Sequence, residues 1–215
     1  MLTVDELGQM LEALSLREYT LVVLDIGTGL RISEMLGLKW NDIDFANGRI
    51  DVRRKIYQQR VGECKNEASK KPVPMDGFLA DALLQWRRQT PYAASEDWVF
   101  ASAVVGGKQP YWPERLRKLV QEAATKLGIH KRIGWHTFRR MLSSLLIKNG
   151  NDVKTVQEIL RHASVRITLE IYAQAMDETK LQAQGQVYRM LREAGAKPLL
   201  LPSVTTREST FPLSD

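Results

Sequence analysis

A chain of 215 residues is long enough for one domain with a sizeable core. Its 44% apolar and 26% charged content is that of a soluble globular protein, and no apolar run approaches the ~20 residues a membrane span needs. The net charge of +6 and isoelectric point near 9.5 favour a polyanionic partner without specifying one, since many basic proteins bind nothing acidic.

Met1-Leu2-Thr3-Val4-Asp5-Glu6 lacks the basic stretch and apolar core of a secretory signal. Thr3 and Glu6 form a capping box, and Leu7, Met10, Leu11 and Leu14 follow at helical spacing. A strongly apolar helix, the buried central element, is expected from Arg17 to Ile26, ended by Gly27 and Gly29, with a short helix over Arg31 to Leu36. Asn47-Gly48 between Ile43–Phe45 and Arg49–Arg54 signals a hairpin. Tyr57 to Lys71 is polar and basic, a β-hairpin or loop, and Pro72-Val73-Pro74 closes a short edge strand. The segment holds the lone Cys64, which can form no internal disulfide, so a reducing, cytoplasmic compartment is expected.

Helices then return: Phe78 to Arg88, Trp112 to Leu127 with Pro113 in its first turn, Thr137 to Asn149, Asp152 to Leu160, Val165 to Tyr172 and Asp177 to Glu193. The last carries an apolar stripe of Leu181, Val187, Tyr188, Met190 and Leu191. From Gly195 the proline, serine and threonine content predicts a loose tail over 195–215. The fold class is mainly α with a small antiparallel β-sheet (α+β), and the domain spans 1–194.

Five residues form a set with a specific chemical use: Arg31, His136, Arg139, His162 and Tyr172. Arginines can clamp a phosphodiester, histidines can hydrogen-bond and move protons, and a tyrosine can attack phosphorus. Taken singly, each has an ordinary structural explanation, such as a solvated charge, a capping histidine or a half-buried core tyrosine. Together they point to covalent DNA strand cleavage and rejoining.

The motifs resemble those of the tyrosine recombinases, the phage integrase family, over Leu2 to Glu193 and in the right order. Gly27-Thr28-Gly29-Leu30-Arg31-Ile32-Ser33-Glu34-Met35-Leu36-Gly37-Leu38-Lys39-Trp40 is similar to the first box of that family. The second is matched by His136-Thr137-Phe138-Arg139-Arg140, Leu160-Arg161-His162-Ala163-Ser164 and Thr168-Leu169-Glu170-Ile171-Tyr172. Lys65-Asn66-Glu67-Ala68-Ser69-Lys70-Lys71-Pro72-Val73-Pro74 resembles its β-hairpin lysine segment.

The resemblance implies that Tyr172 is the nucleophile that becomes a 3′-phosphotyrosine. It implies that Arg31 and Arg139 hold the non-bridging oxygens and that Lys65 protonates the leaving 5′-oxygen. His136 assists proton transfer, and His162 hydrogen-bonds the phosphate. Physical chemistry agrees. Planar guanidinium groups match the charge gathering on phosphate oxygens, and a phenol of pKa ~10 must lose its proton to attack. No carboxylate cluster or phosphate-binding Gly-x-x-x-x-Gly-Lys loop is evident, and a phosphotyrosine conserves the bond energy, so no metal or other cofactor is expected.

Two positions depart from the family. Arg140 stands where histidine is common, and Arg161 stands where glycine is usual. Glycine tolerates a left-handed conformation, so Arg161 must strain the turn or change its path. Both arginines, with Lys70 and Lys71, are candidate DNA contacts. The family's separate N-terminal helical DNA-binding domain is expected to be absent from this chain. The expected partner is double-stranded DNA, bound by a tetramer of subunits that are monomers when free, with the 177–193 helix docking on a neighbouring subunit or folding back on its own. Related chemistry occurs in type IB topoisomerases and telomere resolvases. The rival without chemistry is a DNA-binding protein of a mobile element.

Overall fold

The computed structural model describes residues 2–63, 71–161 and 164–195, the side chains of 174–183 excepted. It divides into two units, Met1–Ala175 and Met176–Asp215. Helix α1 (Val4–Ala13) begins at the expected capping box: the Thr3 hydroxyl accepts from the Glu6 amide at 3.1 Å, and the Glu6 carboxylate accepts from the Thr3 amide at 2.7 Å. Glu6 also pairs with Lys131 at 2.6 Å, tying α1 to a loop 125 residues on.

Helix α2 (Leu16–Thr28) is the central element, with Leu21, Val22 and Leu24 fully buried and Val23 nearly so. Helices apolar on every side are surrounded on every side. Here two cores meet: Leu21 and Leu24 join Trp40, Ile50, Leu83 and Phe100, while Val22 joins Met10, Val120, Ala124 and Phe138. The helix runs past Gly27 and ends at Gly29, which takes the left-handed conformation (φ 61°) and donates to the Asp25 carbonyl at 2.7 Å. Short helix α3 (Ile32–Met35) follows.

Strands β1 (Ile43–Asp44) and β2 (Arg49–Ile50) pair antiparallel around Asn47-Gly48, with Ile43 opposite Ile50. The expected second strand stops early, and a separate hairpin starts at Arg54: β3 (Arg54–Tyr57) with β4 (Arg60–Glu63). Its turn, Gln58-Gln59, is left-handed at both residues (φ 47° and 60°), a conformation that carries no glycine signal here. Strand β5 (Val73–Pro74) lies at the edge of the sheet order β1-β2-β5, as its prolines require.

The remaining helices are α4 (Gly77–Gln89), α5 (Pro113–Lys126), α6 (Trp135–Lys148), α7 (Val153–Ile159) and α8 (Val165–Glu193). The expected break between Tyr172 and Asp177 is missing. The linking Ala173-Gln174-Ala175-Met176 consists of helix formers with no glycine or proline, so nothing interrupts the hydrogen-bond ladder. On α8, Val187, Tyr188, Met190 and Leu191 are exposed, while Leu181 falls among the side chains not described. The predicted tail over 195–215 lies, beyond Gly195, outside the described residues.

Candidate active site

Arg31 is the residue before α3, extended at φ −72° and ψ 146°. Its amide donates to Glu34 Oε2 at 3.0 Å, and its Nη1 lies 3.3 Å from Glu34 Oε1. Glu34 is 4% exposed, so a buried carboxylate grips both ends of an arginine whose side chain remains 43% exposed. Arg31 is therefore oriented while its charge stays accessible.

Arg139, on α6, is buried. Its Nη1 donates to the Gly29 carbonyl and its Nη2 to the Leu160 carbonyl. A guanidinium has five N–H donors, so three are left for another acceptor. Gly29 is needed for this closure twice over. Its φ is left-handed, and a β-carbon there would come within 2.9 Å of Leu160 and 3.0 Å of Leu142. Burial, and next the positive charge of Arg31, lower the Arg139 pKa to about 10, while Glu34 and Asp25 oppose the shift. Arg139 thus stays cationic at neutral pH, and the two arginines share one electrostatic neighbourhood.

Asp25 lies beneath them on α2, fully buried, with neither carboxylate oxygen hydrogen-bonded among the described residues. Burial pushes its pKa well above the carboxylate range, and the charge of Arg139 pulls against that. Sequence reasoning gave no role to Asp25 or Glu34. Both left a signal: one charge inside the apolar run Leu21–Ile26, and an acid three residues after Arg31.

His136 is exposed on the first turn of α6, one turn before Arg139. Tyr172 is only partly exposed, and its hydroxyl donates to the Asn151 carbonyl. Loss of solvent first, and the Asp152 carboxylate second, raise its pKa. Both effects and the hydrogen bond hold the phenol in its protonated form.

Lys65, Lys70 and His162 fall outside the described residues. Arg140 is exposed on α6. Arg161 keeps the left-handed turn rather than changing its path, with φ 52° and 7% exposure. It and Lys71 line a cleft of about 500 Å³ together with Thr28, Lys154 and Gln157.

A model of the phage integrase family matches residues 1–179. The tyrosine recombinase XerC of Thermodesulfovibrio yellowstonii is 31% identical over 180 residues, covering 80% of this chain and 56% of that protein. XerC of Xylella fastidiosa is 29% identical over 168 residues, 74% of this chain and 49% of that one. The chain therefore spans about half the length of the curated relatives it matches. Among solved structures, the XerA recombinase superposes with a TM-score of 0.66 at 27% identity, covering 85% of this chain and 62% of that one. The Tn1549 transposon integrase in complex with transposon right end DNA gives 0.71 at 22% identity over 85% of this chain and 64% of that one, a likeness of fold.

Proposed function

This chain belongs to the phage integrase family, and on that premise we propose that it is a site-specific DNA recombinase or integrase acting through Tyr172. The Tyr172 oxygen attacks the scissile phosphorus as the bond from phosphorus to the 5′-oxygen breaks, leaving a 3′-phosphotyrosyl strand. The phenol proton leaves with the help of His136, and Lys65 supplies a proton to the departing 5′-oxygen. Rejoining runs the same steps backwards with a 5′-hydroxyl as nucleophile and needs no energy source. His162 hydrogen-bonds the phosphate. Lys70, Lys71, Arg140 and Arg161 supply further backbone contacts, and four subunits assemble on two duplexes.

The observation that carries this reading is the pair of guanidinium groups. The charge of Arg31 lowers the Arg139 pKa, so the two lie close enough to repel, and among the described residues Arg139 bonds two carbonyls with two of its five donors. Two cations placed so are repulsive until an anion sits between them, and a phosphodiester gaining charge in its transition state is such an anion. The Tyr172 hydroxyl bonded to Asn151 marks a resting arrangement, from which the phenol is released when DNA binds.

The test is a nicked suicide duplex bearing a recombination site. The wild-type chain should form a protein–DNA adduct that survives denaturation, and Tyr172→Phe should form none while binding DNA about as well. An adduct in Tyr172→Phe would remove Tyr172 as the nucleophile. A wild-type chain that binds but never forms an adduct would leave a DNA-binding protein without the chemistry.

A further inference from the structure

From the cleft beside the arginine pair, we infer that Arg161, Lys71 and Lys154 form a second phosphate site, which takes a non-scissile backbone phosphate of the bound duplex. The inference rests on the DNA reading above and adds to it a single cleft in which Lys154 joins Arg161 and Lys71 on one phosphate that does not react.

Three observations converge. The first is conformational. Arg161 is left-handed at φ 52°, where a β-carbon crowds the following carbonyl, and asparagine or glycine would sit with less strain. A strained non-glycine residue persists where its surroundings hold it. The hold is visible: the preceding carbonyl, that of Leu160, accepts from Arg139. The turn that orients Arg139 therefore also fixes where the Arg161 side chain departs from the backbone.

The second is burial. Arg161 is 7% exposed yet lines an open-sided cleft of about 500 Å³, so its charge is withdrawn from bulk water but faces a space large enough for a phosphate group. The third is charge. Lys71 and Lys154 line the same cleft, against one carboxylate among the described residues, Glu158. Glu158 pairs with Lys154 at 3.2 Å across a largely exposed helix turn, a contact that water and salt weaken. Among the described lining residues, three cations thus stand against one screened anion. Arg161 also adds to the positive field at Arg139, so the two cationic sites disfavour each other until anions fill them.

The position of the cleft selects the ligand. Gly27 and Thr28 form one wall, directly before Gly29, whose carbonyl takes Arg139. Ile159 and Arg161 form another, on either side of Leu160, whose carbonyl takes the other nitrogen. An anion in the cleft thus lies next to the scissile phosphate, as neighbouring phosphates of one DNA strand do. The Thr28 hydroxyl donates to the Leu24 carbonyl at 2.5 Å, so the phosphate is bound by the cations rather than by that hydroxyl.

The experiment combines Arg161→Gly with a set of suicide duplexes, each carrying one neutral methylphosphonate at a phosphate near the cleavage point. Arg161→Gly should raise the melting temperature by relieving the left-handed strain, yet weaken DNA binding and lower the salt slope of log Kd by about one unit, the effect of one phosphate contact. One methylphosphonate position should weaken wild-type binding but make no further difference in Arg161→Gly. Lys71→Gln, which leaves the turn unchanged, should blunt the penalty at that same position. If every methylphosphonate costs Arg161→Gly as much as the wild type, or if its affinity and salt slope match the wild type, the cleft is not a phosphate site. The wild-type adduct on an unmodified duplex is scored in parallel. Its presence alongside an indifferent Arg161→Gly overturns the cleft alone, whereas its absence overturns the nucleophile.

Discussion

Arg31 and Arg139 carry the same charge in different settings, and substitution should separate what each contributes. Arg31 is half exposed and leans on Glu34; Arg139 is buried and bonded to two main-chain carbonyls. Arg31→Ala should slow cleavage by about 10²-fold or more, the scale of losing one transition-state donor. It should cost only about 1 kcal/mol of stability, because the Arg31 side chain is half exposed and the buried Glu34 carboxylate still accepts from the residue 31 amide. Arg139→Ala should lose as much rate and also about 3 kcal/mol of stability, because the Gly29 and Leu160 carbonyls lose charge-assisted bonds. Adduct rates at saturating DNA and urea melts measure the two quantities. If Arg139→Ala melts like the wild type, the carbonyl bridge contributes nothing to the fold. Arg161 adds a third case. Its left-handed turn costs about 1–2 kcal/mol, so its retention opposes stability.

At the scale of elements, the start of α7 joins a helix cap to the phenol of Tyr172. Asp152 caps α7 by accepting from the Lys154 amide at 2.8 Å and the Thr155 amide at 3.0 Å. The same carboxylate is the second cause of the raised Tyr172 pKa. Asp152→Asn keeps a side chain that caps about as well and removes the charge. With less negative potential nearby, the phenolate becomes easier to form. In the DNA-free chain the Tyr172 phenol of Asp152→Asn should therefore ionise at lower pH than in the wild type, read as the phenolate absorbance that Tyr172→Phe removes. An unmoved or higher titration would mean that Asp152 does not act on Tyr172. Local chemistry made many of the elements readable. Asn47-Gly48, the flanking prolines of β5, the Thr3 box and the left-handed Gly29 all follow from residues adjacent in sequence. The unbroken α8 did not: Ala173-Gln174-Ala175-Met176 join the two expected helices into one. The Gln58-Gln59 turn lacked glycine, and its left-handed residues are set by the strands that it joins. At the candidate site, the motifs single out Arg31, His136, Arg139 and Tyr172, and the structure places Arg31 and Arg139 in one electrostatic neighbourhood. The environments of Asp25 and Glu34 were not, because burial is decided by segments distant in sequence.

For the whole molecule, the question is what the second unit adds. Helix α8 exposes Val187, Tyr188, Met190 and Leu191, and an apolar stripe of this kind fits the proposed contact with a neighbouring subunit. Head-to-tail contacts of that type close into rings when the rotation permits. A chain ending at Ala175 keeps the described residues of the site. It should still form the adduct on a half-site and fail to exchange strands between two duplexes. Full-rate recombination by that chain, measured by the appearance of recombinant product, would show that the exposed stripe has no part in assembly.

The bridge made by Arg139 has a consequence for safety. Its two carbonyl partners lie 110 and 21 residues away along the chain, so the guanidinium reaches its working position only after those segments have met. On the proposed function, a nascent, misfolded or partly melted chain would carry every reactive group and lack the arrangement that makes them dangerous to DNA. Folding would then act as an interlock, in which the proposed capacity to break a strand arrives together with the structure that would hold the broken end.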